Sequence, residues 1–457
     1  MRAFLLAISL LAAGELVAQG PGTGNREQGT GATRRSEQSA PGSRFPVPSS
    51  QLAPRGSELT VYLMTMGHGD RVWERFGHNA IRIVDASRGT DSLYNWGTFD
   101  FQQPNFLGRF LTGNTLYWMQ AEGMAQTLEN YRFWNRSVWT QELDLTPEER
   151  ANLRDFIVWN GRPENRYYRY DYYLDNCSTR VRDILDRVIG GQLRAATEPR
   201  LTNTTYRFHT QRLLQFDRAV AAGTNIGLGQ LADRPISAWA EMFLPARMRE
   251  HVRGIQVRRS DGSTRPLVKS EQELFAAQRG PEPAQPPGIT ILYLAIGVTL
   301  AVLFALLVRG ANAGKHAARV TFATLTTIWA ALNGILGVIL IVGWTATRHV
   351  FMVRNENLLQ FDPLSLALAV VLPLAIMRGR SVRAAQRLST VIAAIALVGL
   401  AAKLLPWFFQ VNGAVIALAL PVHLTLAWSV RALSAARVTR PVPPDAAARA
   451  LASRPAA

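Results

Sequence analysis

The sequence predicts an α+β domain carried outside the cytoplasm, followed by an all-α domain that crosses a membrane several times. Three observations carry that expectation. The N-terminus reads Met1-Arg2, an apolar run from Ala3 to Ala13, then small and polar residues around Val17-Ala18-Gln19-Gly20, the plan of a secretory signal peptide. Residues 56–270 mix strand-like and helix-like patterns over the length of one ordinary domain with a full core. After the Pro-rich hinge 280–287, apolar segments cover about 289–308, 320–342, 361–377, 388–409 and 413–432. A helix needs ~20 residues to span the hydrocarbon core, so four segments are comfortable and the third is short.

The expected division is a signal peptide over 1–19, a disordered linker over 20–55, the exported domain over 56–270 and a Pro-rich linker over 271–288. A membrane domain with about five transmembrane helices follows over 289–433, and a cytoplasmic tail over 434–457. The first linker is Gly, Ser, Gln, Arg and Pro with almost no apolar residues, too little to offset its chain entropy. No cysteine lies near the end of the N-terminal run, which excludes a lipid-anchored mature N-terminus; an uncleaved anchor helix is the alternative to cleavage.

Within the exported domain, 58–66 alternates as a strand, and 77–85 is a second strand. A polar turn over 86–91 leads to 92–99 as its hairpin partner. The aromatic-rich pieces 106–110 and 116–119 are either the wall of an acyl channel or plain core. Thr146-Pro147-Glu148-Glu149 opens a helix that runs to about Asn160, with a Thr N-cap, Pro at the first helical position and a capping-box Glu. Val181, Ile184, Leu185, Val188 and Ile189 recur at helical spacing until Gly190-Gly191 ends that helix.

Fifty Lys and Arg against 33 Asp and Glu leave a net charge of +17. Much of the excess lies in the tether and in three clusters between apolar segments: Arg309, Lys315 and Arg319; Arg378, Arg380, Arg383 and Arg387; Arg431, Arg437 and Arg440. All three fall on one side if every segment crosses, and basic short loops mark the cytoplasmic face. The soluble domain is then outside and the C-terminus inside. No groove-reading element accompanies the charge, so nucleic acid is not an expected partner; the lipid bilayer is.

The chain has one cysteine, Cys177. Without an internal disulfide partner it is an inert buried thiol, half of an intermolecular bridge or a nucleophile. It stands in the first turn of the helix carrying Val181 and Ile184, where Ser178 or Asn176 can cap the free amides. Helix dipole and amides there favour an anion, which lowers a thiol pKa from its free value of ~8.5; Arg180 and Arg182 add to this. The bland alternative is a small apolar filler. His78 starts a strand after Gly77. A helix-start cysteine and a strand histidine make the thiolate–imidazolium pair of papain-like sites, although a strand histidine alone is more often structural. His68, in Gly67-His68-Gly69, is a candidate for the same cleft, whereas His209 and His251 read as surface residues. With one cysteine and no histidine–carboxylate cluster, the sequence calls for no zinc, no other metal and no cofactor.

Four motifs in order resemble the Lnb N-terminal periplasmic domain family. They are Phe76-Gly77-His78-Asn79-Ala80-Ile81-Arg82, Asn95-Trp96-Gly97-Thr98-Phe99-Asp100-Phe101, Asp175-Asn176-Cys177-Ser178-Thr179 with Arg182-Asp183-Ile184-Leu185, and Met242-Phe243-Leu244-Pro245. The His-before-Cys order also resembles circularly permuted papain-like proteins of the NlpC/P60 and lecithin:retinol acyltransferase type. The resemblance implies an α+β papain-like fold and acyl transfer through a cysteinyl thioester, from phospholipid to the N-terminal amine of bacterial lipoproteins. It implies Cys177 as nucleophile and His78 as base, with Asn95, or alternatively Asp100, orienting the imidazole.

Between the second and third apolar segments, on the outer side, the chain reads 348–364. Its His349, Asn355, Asn357 and Pro363 resemble a motif of full-length family members. This loop is expected either to close the active site and hold a lipid headgroup or to pack the domain onto the membrane. The functional expectation is an acyltransferase in the bacterial inner membrane, multi-pass, with its catalytic domain in the periplasm. The alternatives are a papain-like envelope hydrolase acting on peptidoglycan or a lipid thioester, and a non-catalytic envelope scaffold.

Overall fold

The computed structural model describes residues 54–438. The expected signal peptide, nearly all of the first linker and most of the C-terminal tail lie outside the described residues.

The exported domain is a seven-stranded antiparallel sheet with helices on both faces. In chain order the elements are β1 (Leu59–Met66), β2 (His78–Asp85), β3 (Thr90–Thr98), α1 (Phe106–Thr112), β4 (Leu116–Gly123), α2 (Met124–Phe133), β5 (Val138–Leu143), α3 (Pro147–Asn160), β6 (Tyr167–Arg169) and α4 (Cys177–Val188). There follow α5 (Gln192–Thr197), α6 (Tyr206–Leu214), α7 (Arg218–Gly227), α8 (Ala238–Glu241), α9 (Pro245–Arg253), the small hairpin β7 (Gln256–Arg258) and β8 (Thr264–Pro266), and β9 (Val268–Phe275). The sheet order is β6-β4-β3-β2-β1-β5-β9. Edge strand β9 pairs with β5 as far as Phe275, so the sheet runs on into the expected 271–288 linker. Its residues 269–273 are exposed and polar, which is why no alternation marks them.

Alternation puts Val61, Leu63, Ile81, Ile83 and Trp96 on one face, against Leu153 and Ile157 of α3, Val181, Ile184 and Leu185 of α4, and Met248 of α9. The other face holds Met64, Met66, Ala80 and Leu93 under Met124 of α2. Burial of this kind contributes about 25 cal/mol per Å² of apolar surface, and it clamps α4 onto β2 and β3. Local signals end the elements as expected. Thr146 Oγ1 accepts the Glu149 amide while Glu149 accepts the Thr146 amide at 2.7 Å. Gly190 and Gly191 take φ of +70° and +82°, a conformation that costs glycine little.

The membrane half is helical: α10 (Thr290–Asn312), α11 (His316–Thr345), α12 (Leu364–Pro373), α13 (Val382–Ala401) and α14 (Gly413–Val438). Among the described residues, four helices are long and apolar enough to cross a membrane: α10, α11, α13 with its final turn, and α14. The third expected segment differs. Residues 350–359 and 364–378 form a pair bent by 41°, so the chain dips along α11 before the short α12 completes the passage. Glycines on α11 make room for the dip. A Cβ on Gly337 would lie 2.4 Å from the Phe361 carbonyl oxygen, and one on Gly334 would lie 2.5 Å from the Leu366 amide. The fourth expected segment, 388–409, ends early as a helix, because Leu405 is extended (φ −100°, ψ 134°) ahead of Pro406, as residues preceding proline prefer.

Candidate active site

Cys177 is the first residue of α4, and Asn176 is its N-cap. The Asn176 Oδ1 accepts the amides of Ser178 and Thr179, both at 2.9 Å, and its Nδ2 donates to the carbonyls of Tyr172 and Phe243 at 2.8 and 3.0 Å. The cap thus holds the helix start against the Met242-Phe243 segment. Ser178 completes the clamp: its buried Oγ lies 2.7 Å from both Asn79 Oδ1 and Met242 O. Asn79 in turn donates to Met64 O at 3.0 Å and Thr65 Oγ1 at 2.9 Å. A strand residue next to His78 and a helix residue next to Cys177 are therefore bonded directly, which sets the separation of the two side chains.

His78 and Cys177 face each other closely enough for each to shift the other's proton affinity. On the far side of the ring, His78 Nε2 lies 3.0 Å from Asn95 Oδ1. A carbonyl oxygen only accepts, so Nε2 carries the proton and Nδ1 is left as the basic nitrogen toward sulfur. Burial alone pushes the Cys177 thiol up, but the charge and hydrogen bond of His78 and the backbone amides of Asn79 and Ser178 more than offset it, and the net direction is down. Burial likewise lowers His78, and the Cys177 charge with the hydrogen bonds of Cys177 and Asn95 turns the net direction up. Both directions favour a thiolate–imidazolium pair, the state in which sulfur is nucleophilic. Gly97, at φ +96° in a break of the β3–β4 register, lets this strand pass the thiol; a Cβ there would sit 3.5 Å from Cys177 Cβ.

The pair opens into a cleft of ≈ 530 Å³ walled largely by aromatic rings, among them Trp73, Phe99, Phe110, Tyr117, Tyr170 and Phe243. Arg348, His349, Val350, Phe351 and Met352 of the membrane half also line it. Phe351 packs against the touching rings of Tyr173 and Tyr206, with centroids 4.6 and 5.0 Å away. The cleft is complete only where the two halves meet.

The structure brings Cys177, His78, Asn95, Asn176 and Ser178 together and separates the other candidates. Asp100 is exposed and accepts the Gln102 amide at 2.8 Å; the ring partner is Asn95. His68 is off the cleft wall, where burial above all lowers its pKa and Arg279, Arg75 and Arg136 add to this against the opposing charge of Glu282. Arg180 pairs with Asp175 at 2.7 Å and covers the Tyr168 ring at 3.9 Å. Arg182 pairs with Asp183 and donates to Trp239 O at 2.9 Å, so the local charge partner of the thiol is His78. Asn355 and Asn357 lie off the cleft wall: their Nδ2 groups donate to Ile226 O at 2.8 and 2.9 Å, tying the outer loop to α7. His349 does line the cleft, with Nε2 donating to Phe110 O at 3.0 Å.

Two features were not foreseen. Arg136 is buried on the cleft wall, donates to Gly67 O at 3.0 Å and lies over the Tyr131 ring at 4.8 Å; no local pattern marks it. His209 and His251, expected at the surface, instead grip Glu241 at 3.0 and 2.8 Å, and His209 is buried. Burial would raise the Glu241 carboxyl, but these two histidines hold it far below the usual range. Glu241 immediately precedes the Met242-Phe243 carbonyls that receive Ser178 and Asn176, so the cluster backs the site.

No curated protein and no solved structure matches the chain. The family profile described as the Lnb N-terminal periplasmic domain matches residues 51–213, a span that contains His78, Asn95 and Cys177. Residues 51–213 of this chain are therefore similar to the Lnb N-terminal periplasmic domain family.

Proposed function

We propose that the protein is a membrane-anchored cysteine acyltransferase that moves an acyl chain from phospholipid, through a Cys177 thioester, to the N-terminal amine of a lipoprotein. The observation that carries this reading is the Cys177–His78–Asn95 series, with His78 bonded to Asn95, opening into an aromatic cleft completed by the outer loop of the membrane half. A peptidoglycan-cleaving hydrolase needs a polar trough for a sugar-peptide substrate, whereas this lining suits hydrocarbon.

In the first half-reaction the thiolate attacks the ester carbonyl, and the C–S bond forms as the C–O bond breaks. The departing alkoxide takes the proton held by His78, leaving thioester and neutral imidazole. The α4 N-terminus faces the negative charge that develops during attack. In the second, the amine attacks the thioester and gives its proton to His78, and sulfur leaves as thiolate. The net change is ester plus amine to alcohol plus amide. Asn95 keeps the ring in the tautomer that serves both steps, and the apolar walls disfavour water as the acceptor. The same reading assigns the protein to the bacterial inner membrane, with the cleft in the periplasm.

Intact-mass analysis after incubation with phosphatidylethanolamine vesicles tests this. A hydroxylamine-labile gain of one acyl chain, absent in Cys177→Ala, is the expected result. Full complementation of function by Cys177→Ala would refute it. Release of free fatty acid alone, with lipoprotein amines present, would identify a hydrolase instead.

A further inference from the structure

The short helix α1 divides its side chains between two surroundings. Phe106 and Phe110 face inward: Phe106 packs on Phe101 at 5.0 Å, and Phe110 lines the cleft. Leu107 and Leu111, one position on and again a helical turn apart, are 50% and 47% exposed. The C-terminal end of α1 is fastened to the membrane half. Arg348 N donates to Thr112 O at 2.9 Å, and His349 Nε2 donates to Phe110 O at 3.0 Å. Gly113, at φ +71°, packs so closely that a Cβ would lie 3.1 Å from the Arg348 carbonyl carbon and the His349 amide. Arg348 lies three residues beyond the end of α11 at Thr345, where Trp344 is exposed, and tryptophan at the end of a span marks the membrane–water interface. The helix is thus held at the outer interface, with its leucines uncovered and Phe110 on the wall of the cleft that holds Cys177. Arg169 and Arg348, exposed at the same cleft, supply cations at the level of lipid phosphates.

We propose that α1 is the lip of a lateral opening. Leu107 and Leu111 insert into the outer leaflet, and the acyl chain of a bilayer lipid passes under α1, along Phe110 and Tyr117, toward Cys177. The insertion stands on the geometry above; the passage rests on the acyl-transfer reading, so the test has two arms.

In the first arm, full-length protein with Cys177→Ser and Leu107→Cys carries an environment-sensitive fluorophore at position 107, in phosphatidylcholine vesicles. Blue-shifted emission quenched at least twofold by lipid bearing a nitroxide near the headgroup is expected; water-like, unquenched emission overturns the insertion. In the second arm, Leu107→Asp with Leu111→Asp is expected to slow acylation of Cys177 from vesicles at least tenfold. Alkylation of the same thiol by iodoacetamide should stay within twofold of wild type. Equal vesicle acylation in the double variant overturns the passage. Quenching in the first arm, with no acylation of wild type, overturns the acyl-transfer reading and the passage while leaving the insertion standing.

Discussion

Asn95 and Asp100 lie close together in sequence, and either has an oxygen able to orient an imidazole. Only Asn95 meets His78, because β3 pairs with β2 and sets Asn95 across from Ala80, while Asp100 lies beyond the end of the strand. Asn95→Ala is expected to reduce thioester formation by roughly 10²-fold through a misoriented ring, and Asp100→Asn to leave it unchanged; single-turnover mass measurements compare the two. The lowered Cys177 and raised His78 also fix the direction of a pH profile. Thiolate is present above the depressed thiol pKa and is lost as pH falls through it. Imidazolium is present below the raised histidine pKa and is lost as pH rises through it. Iodoacetamide alkylation should therefore stay fast well below the free-thiol value of ~8.5. His78→Ala should move its midpoint upward, because burial then acts unopposed by the imidazolium charge. An unmoved midpoint would mean that the ion pair does not form.

At the scale of elements, two seams position the site. One joins α4 to β2 through Asn176, Ser178 and Asn79; the other lays the 350–363 segment into the glycine face of α11. The second is the more exposed to a single methyl group. Gly337→Ala introduces a Cβ 2.4 Å from the Phe361 carbonyl oxygen, whereas the same change at Gly280 meets nothing within 4 Å. We expect Gly337→Ala to cost about 1–3 kcal/mol through overpacking, seen as a lowered melting temperature in detergent, with Gly280→Ala unchanged. The first three strands, the Thr146 cap and the Gly190-Gly191 stop are legible in the sequence because their signals act within a few residues. The bend at residues 359–364 is not. Apolar composition over 361–377 reads the same whether the segment crosses alone or completes a dip, and the glycines that admit the dip lie on another helix.

At the scale of the whole molecule, the membrane half forms part of the site. Asn355 and Asn357 fasten its outer loop to the backbone of α7, and Glu356 meets Gln230 Nε2 at 2.6 Å. Replacing both asparagines with alanine removes buried bonds worth about 0.5–1.5 kcal/mol each. We expect faster amide exchange over 225–230 and slower acylation from vesicles, with iodoacetamide reactivity intact. Unchanged exchange would show that the remaining contacts, among them Glu356 with Gln230 and the rings around Phe351, hold the halves together without these bonds.

The sequence by itself determined the alternation of β1 and β2, the capped start and glycine stop of α4 with Cys177 in its first turn, and the apolar segments with basic clusters between them. Each of these follows from a repeat or a cap whose physics is local. Tertiary structure decided what local physics leaves open. It gave Asn95 rather than Asp100 to His78, turned Arg180 and Arg182 away to their own carboxylates, and buried His209 on Glu241. It also built the cleft from two halves of the chain. Each of these outcomes rests on which buried polar group finds a partner across the fold, and that depends on how strands and helices register against one another.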